Sequence, residues 1–257
     1  MTRVVRDSPP ASERARPSVF WLLAIFVVPV VGLFAKIEIE GAEKLPRRGA
    51  YVLAPNHYTE IDPLIVAVAV WRMGRAPRFL AKEGLFRVPV LGPVLRACGM
   101  VPVARTSSSG AGQRTLSAAR ELVENGRGVV VYPEGTLTRD PDMWPMRGKT
   151  GAVRLAAAGG IPVIPMAHWG TQQIMARYAK RISLWPPRKR VRIVLGDPIS
   201  VSEVPASGAQ PAVLAAATTR VMDAVTHLLE GLRGESAPPQ RWNPAQHAQE
   251  ETGRFES

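Results

Sequence analysis

Between Lys36 and Leu195, short apolar runs alternate with stretches of helical periodicity, and this alternation limits the folds open to the chain more than any other feature. The runs at residues 50–54, 99–103, 129–132, 161–166 and 191–195 have strand length and are rich in valine and isoleucine, as buried strands are. Residues 63–71, 115–124 and 152–158 read as helices, the last two stopped by Asn125-Gly126 and Gly159-Gly160. Strands separated by helices pair mainly in parallel. The expected fold class is therefore α/β, a mixed, largely parallel sheet covered by helices on both faces. A final amphipathic helix is predicted over residues 211–232, with Pro211 in its first turn. A chain of 257 residues with 46% hydrophobic and 21% charged side chains has the composition of a packed globular body.

Different compositions flank that body. Residues 1–17 carry Arg3, Arg6, Arg14 and Arg16 among three prolines and are expected to form a basic flexible arm. Residues 19–35 are an uncharged apolar run, about 26 Å long if helical, at the lower edge of what crosses a bilayer. Pro29 and Gly32 interrupt it, which predicts a kinked or broken helix. The absence of a small-x-small cleavage site at its end predicts a retained segment. The domain reading is thus a basic arm at 1–17, an apolar membrane-associating helix at 18–35, a body at 36–232 and a disordered polar tail at 233–257.

The net charge is +12, concentrated in the body, so anionic lipid, nucleic acid and phosphorylated ligands are all open as partners. Two clusters dominate. One holds Arg72, Arg75, Arg78, Lys82, Arg87, Arg96 and Arg105 with a single acid at Glu83; the other holds Lys180, Arg181, Arg188, Lys189, Arg190 and Arg192 around Trp185, a residue suited to a headgroup zone. No zinc-finger or ribonucleoprotein pattern accompanies them, so nucleic acid is not expected. A nonenzymatic binding role for the positive body stays open at this point. Cys98 is the single cysteine, which excludes an intramolecular disulfide and a cysteine-rich metal site; no metal is expected, and Cys98 reads as a small buried hydrophobe.

The chemistry is concentrated in Pro55-Asn56-His57-Tyr58-Thr59-Glu60-Ile61-Asp62-Pro63, between a strand and a helix. On one continuous helix, His57 and Asp62 would point about 140° apart. They can meet only if His57 lies in the loop and Asp62 opens the helix as its N-cap before Pro63. A carboxylate beside an imidazole fixes its tautomer and stabilises its protonated form, which makes His57 a candidate general base oriented by Asp62. No Gly-x-Ser-x-Gly elbow is present, so a serine acyl-enzyme has no support.

The Asn56-His57-x4-Asp62 stretch resembles the first motif of the glycerolipid acyltransferase family, best known from the 1-acylglycerol-3-phosphate acyltransferases. Three further stretches resemble family motifs in order. They are Gly99-Met100-Val101-Pro102-Val103-Ala104-Arg105, with Pro102 where an aromatic is usual; Tyr132-Pro133-Glu134-Gly135-Thr136, followed by Gly148-Lys149-Thr150-Gly151; and Ile161-Pro162-Val163-Ile164-Pro165. The resemblance implies acyl transfer from acyl-coenzyme A or acyl carrier protein, as substrate rather than cofactor, to a hydroxyl of a glycerol phosphate such as lysophosphatidic acid. It implies His57 and Asp62 as the catalytic pair. Asn56, Arg105, Glu134, Gly135, Thr136, Arg139 and Lys149 are the expected substrate-binding residues, with the guanidinium of Arg105 suited to a phosphate. The family pattern places an arginine where Leu137 stands. Arg139 then either reaches the phosphate through a bulged loop or pairs at the surface with Asp140 or Asp142. A cytoplasmic donor is incompatible with a span that would put the body outside, so the apolar helix is expected to lie in the interface, on the cytoplasmic face of the membrane and in contact with its anionic lipids, with a single-pass span and a buried core helix as the alternatives.

Overall fold

The structure is a computed structural model that describes residues 18–103 and 111–249. The arm at 1–17 and Arg105 lie outside the described residues. In chain order the elements are α1 (Val19–Phe34), β1 (Ala35–Glu40), β2 (Tyr51–Pro55), α2 (Asp62–Arg72), β3 (Leu80–Lys82), α3 (Leu91–Ala97), β4 (Val101–Val103), α4 (Ala111–Glu124), β5 (Gly128–Val130), α5 (Gly151–Gly159), β6 (Val163–Trp169), β7 (Lys189–Leu195) and α6 (Pro211–Arg233).

The sheet order is β1-β7-β6-β2-β5. Only the β6–β7 pair is antiparallel; β1–β7, β6–β2 and β2–β5 are parallel. β2 is buried along its whole length, as a strand with neighbours on both edges and helices on both faces must be. Leu53, Ile164, Met166 and Ile193 point to one face and pack with α1 and α2. Val52, Ala54, Val129 and Val163 point to the other, against α4, α5 and α6. The alternating side chains of period 2 thus fill two separate cores from the same strands.

Three features depart from the sequence expectations. Residues 35–40 form an edge strand, which the charged pattern Lys36, Glu38, Glu40 disguised. Their apolar partners Ile37 and Ile39 face inward, while Glu38 and Glu40 take Arg190 and Arg192 of β7 at 2.7 and 3.2 Å. Second, the chain after α6 is structured through Gln249 rather than disordered from residue 233. Exposed carboxylates of α6 hold it down: Glu230 accepts from the Ala237 N–H at 2.8 Å and Asp223 pairs with Arg241 at 2.8 Å. The Trp242 carbonyl then accepts from the Arg147 N–H at 2.9 Å, and residues Pro244–His247 form a 3₁₀ turn. Third, the first basic cluster is not a continuous surface, because Arg75 and Arg78 are buried.

Arg75 has a structural task instead. Its guanidinium donates to the carbonyls of Pro46, Gly49 and Gly126, and it stacks at 4.8 Å over the Tyr51 ring. That ring in turn covers Gly128, where a Cβ would fall 2.1 Å from it. One side chain therefore ties the loop before β2 to the turn before β5. Replacing it removes three hydrogen bonds from a charged donor to half-buried or exposed loop residues, at about 0.5–1.5 kcal/mol each, and the stack on Tyr51. Arg75→Ala is expected to lower the unfolding free energy by about 2–4 kcal/mol, read as a lower urea midpoint at unchanged slope.

Candidate active site

The carboxyl ends of β5, β2 and β6, three adjacent parallel strands, release their loops on one side of the sheet, where open α/β sheets bind ligands. Residues 131–136, 56–61 and 168–171 meet there. Asn56 fixes the central loop: its side-chain oxygen accepts from the His168 N–H at 2.9 Å, and its amide nitrogen donates to the His168 carbonyl at 3.1 Å. Both ends of a buried amide are thus engaged by β6. Asn56 clamps the loop, rather than offering the free contact to substrate expected of it.

His57 and Asp62 come together as the spacing requires, with Nδ1 of His57 3.0 Å from Oδ2 of Asp62. Asp62 is the first residue of α2 rather than its N-cap, which is Ile61. Its carboxylate faces back into the loop, where Oδ2 accepts from the Tyr58 and Thr59 N–H groups, each at 2.8 Å. Oδ1 accepts from the hydroxyls of Thr59 and, at 2.7 Å, Thr171. Burial opposes charge on this group, but the facing His168 imidazole and hydrogen bonds from His57 and Thr59 outweigh it and hold the pKa at about 2. An ionised carboxylate can only accept, so Nδ1 of His57 is the donor, and in the neutral imidazole this tautomer puts the lone pair on Nε2. The imidazole lies against the Tyr132 ring, centroids 4.1 Å apart, with 15% of its side chain exposed.

Glu134 is fully buried and lies beneath His57. One oxygen accepts from the His57 N–H at 2.9 Å and the other from the Met146 N–H at 2.9 Å, while the His57 carbonyl accepts from the Thr138 N–H at 2.7 Å. The side chain therefore holds the backbone of His57, where contact with substrate was expected. Burial is the dominant effect on it and, against those hydrogen bonds, raises its pKa to about 8. Gly135 turns the chain outward at φ 72°, with Lys149 packed so closely that a Cβ there would lie 3.0 Å from its Cδ. Thr136 is half-buried beside it and Leu137 is buried. Arg139 is 4% exposed, so it is held inside the loop rather than at the surface. Arg177 braces the same loop by donating to the carbonyls of Thr138 and Asp140. Tyr58, His168 and Thr171 complete the support: His168 Nε2 lies 3.0 Å from the Asn56 carbonyl and its ring stacks on Tyr58 at 5.1 Å. Among the described residues no group of three His, Cys, Asp or Glu side chains is placed to hold a metal ion.

The two buried carboxyls make opposite contributions to stability. Between about pH 4.5 and 8 the folded chain keeps a proton on Glu134 that the unfolded chain has released, so this group's contribution falls as pH rises through that window. Glu134→Gln cannot ionise, but it offers one acceptor where two N–H groups need one. At pH 5 it is expected to be about 1–3 kcal/mol less stable than wild type in urea unfolding. The deficit should shrink toward pH 8. A gap that widens with pH would show that Glu134 is not neutral in the folded protein.

The geometry agrees with what the chain resembles among known proteins. The family model described as Acyltransferase matches residues 36–169. A chloroplastic 1-acyl-sn-glycerol-3-phosphate acyltransferase of Brassica napus is 32% identical over 167 residues, 65% of this chain and 46% of that protein. The enzyme of the same name from Bacillus subtilis is 23% identical over 66% of this chain and 77% of its own. This chain spans about half the length of several of these curated relatives. A crystal structure of the 1-acyl-sn-glycerophosphate (LPA) acyltransferase PlsC from Thermotoga maritima has the same fold, with a TM-score of 0.63 and 22% identity over 86% of this chain and 82% of that one. With its family model covering more than half the sequence and the His57–Asp62 pair in place, the chain belongs to the acyltransferase family.

Proposed function

We propose that this protein transfers an acyl chain from a thioester, acyl-coenzyme A or acyl carrier protein, to the free hydroxyl of 1-acylglycerol 3-phosphate, forming phosphatidic acid at the cytoplasmic face of a membrane. The observation that carries the reading is the buried, ionised Asp62 set against Nδ1 of His57, with Nε2 left basic. The names of the matched relatives favour this acceptor.

Nε2 takes the proton of the acceptor hydroxyl as its oxygen attacks the thioester carbonyl. Asp62 stabilises the resulting imidazolium. Collapse of the tetrahedral intermediate breaks the C–S bond, and the imidazolium proton goes to the departing thiolate, so the histidine is restored and no acyl-enzyme forms. Lys149 and Thr136 flank the turn at Gly135 and, with Arg105 and Arg139, are the groups proposed to meet the acceptor phosphate. An apolar groove between α1 and α2, lined by Phe20, Val27, Leu64, Val68 and Phe79, suits an acyl chain. It leads to the reacting atoms through a ring stack, since Phe79 lies against Tyr132 and Tyr132 against His57.

Thiol release from palmitoyl-coenzyme A tests the reading, with lysophosphatidic acid, glycerol 3-phosphate or no acceptor. Release is expected only with an acceptor, and most with lysophosphatidic acid. His57→Ala should reduce kcat by about 10²–10⁴-fold. Asp62→Asn is the sharper variant. Its amide NH2 can turn toward the hydroxyls of Thr59 and Thr171, which can reverse to accept it, while its oxygen still accepts from Tyr58 and Thr59. The fold should survive, and kcat should fall at least about 10²-fold because the imidazolium loses its counter-charge. Full activity of His57→Ala would remove His57 as the base, and full activity of Asp62→Asn would remove Asp62 as its counter-charge.

A further inference from the structure

α1 has two apolar faces, and the protein covers only one of them. Phe20, Val31 and Phe34 are buried, whereas Leu22, Ile25, Phe26, Val30 and Leu33 are 55–71% exposed and repeat at the three-to-four-residue spacing of a single helical stripe. The helix has 16 residues, about 24 Å, short of a hydrocarbon core of about 30 Å. Its inner face is packed on α2 and β1, so lipid cannot surround it. An apolar stripe on a helix fixed to a domain along its other face is the geometry of a segment lying in the plane of a membrane surface.

A second exposed apolar feature lies at the carboxyl end of this stripe. The loop before β7 runs through Lys180, Arg181, Ile182, Ser183, Leu184 and Trp185, all exposed, with Leu184 at 65% and Trp185 at 83%. It is attached to α1 directly: the Arg188 N–H donates to the Leu33 carbonyl at 3.2 Å, and Lys189 lies opposite Ala35 in the sheet. The loop is also held at its base. The Ser183 N–H donates to the carbonyl of the core residue Ile174 at 2.7 Å, and the buried Lys189 ammonium donates to the Ser183 carbonyl and hydroxyl. Its tryptophan and leucine are therefore projected outward from a fixed platform. No acidic residue occurs between positions 175 and 190. Arg177 and Arg190 are taken up by backbone carbonyls and by Glu38, which leaves the cations of Lys180, Arg181 and Arg188 around the exposed apolar tip.

We infer that the 180–188 loop is a second membrane anchor, acting with the outer stripe of α1: Leu184 and Trp185 enter the interface of an anionic bilayer while Lys180, Arg181 and Arg188 contact its phosphates. Tryptophan with flanking cations is the side-chain set that settles at the headgroup level, and basic residues gain most where the leaflet is anionic. Two attachment points, a helix lying flat and a loop at its end, fix orientation as well as affinity. This deepens the lipid-substrate reading but does not depend on which acceptor is acylated.

A fluorescent label sensitive to polarity, placed on a cysteine at one position at a time in full-length Cys98→Ala protein, tests the inference. The positions are Trp185→Cys on the loop, Phe26→Cys on α1 and Ser207→Cys beside the opposite helical layer. With vesicles of equimolar phosphatidylglycerol and phosphatidylcholine, labels at 185 and 26 should brighten and shift to the blue, the label at 207 should not, and pure phosphatidylcholine should give a weaker response. The combined Leu184→Ser and Trp185→Ser variant should bind these vesicles at least about tenfold more weakly, with thioester cleavage on detergent-dispersed substrate unchanged. A label at 185 that stays in water while 26 inserts would overturn the loop as an anchor, as would displacement of the vesicles by duplex DNA. Loss of thioester cleavage in every protein, with insertion intact, would count against the catalytic reading alone.

Discussion

The site depends on one buried charge. Asp62 accepts from two backbone N–H groups, two hydroxyls and one imidazole, drawn from the loop after β2 and from Thr171 beyond β6. An isolated carboxylate at that depth would take up a proton, and the facing His168 imidazole together with the convergence of donors keeps it ionised. Once ionised it closes the 57–61 loop onto the start of α2, selects the tautomer of His57 and ties two strand ends together. Structure and chemistry are thus the same set of hydrogen bonds, and no part of the loop can relax without weakening the base.

Glu134, which holds the backbone of the same histidine, presents the opposite case. It accepts from two backbone N–H groups and the Thr138 hydroxyl, but burial prevails, and the Asp62 charge adds to it. The difference follows from geometry: Asp62 faces the imidazoles of His57 and His168 in addition to its N–H and hydroxyl donors, and Glu134 faces another carboxylate instead.

The His57–Asp62 pairing was legible because the six residues between a strand and a helix leave few ways for the two side chains to meet, and the alternation of runs was enough for the layered sheet. What the sequence concealed was mostly long-range. Thr171 lies 109 positions from the carboxylate it serves, and nothing in its local pattern marks it. Asn56 and Glu134 were recognisable as important, but their tasks depend on which backbone lies opposite, and that is set by strand order rather than by the motif. Arg75 looked like surface charge because arginines usually are; only the close approach of three loop carbonyls makes its burial favourable. The segment after α6 looked like a solvated tail for the same reason, since Asp223 and Glu230 become anchors only once α6 is packed with that face outward.

The position of α1 gives the membrane reading a consequence for catalysis. The side of the helix that faces the domain forms one wall of the apolar groove, and the opposite side is the exposed stripe. If the stripe lies in lipid, the groove is separated from acyl chains by the width of a single helix, and α2, its other wall, begins at Asp62. A lipid acceptor approaching along the interface would then reach His57 with its chain passing from one apolar medium to another, and its phosphate remaining at headgroup level. The hydrophobic cost of extracting each methylene into water, about 0.8 kcal/mol, would be avoided along most of the chain. On this reading the short, half-covered helix serves catalysis because it is too short to span: a true span would place the groove in the bilayer core and the imidazole away from the aqueous thioester.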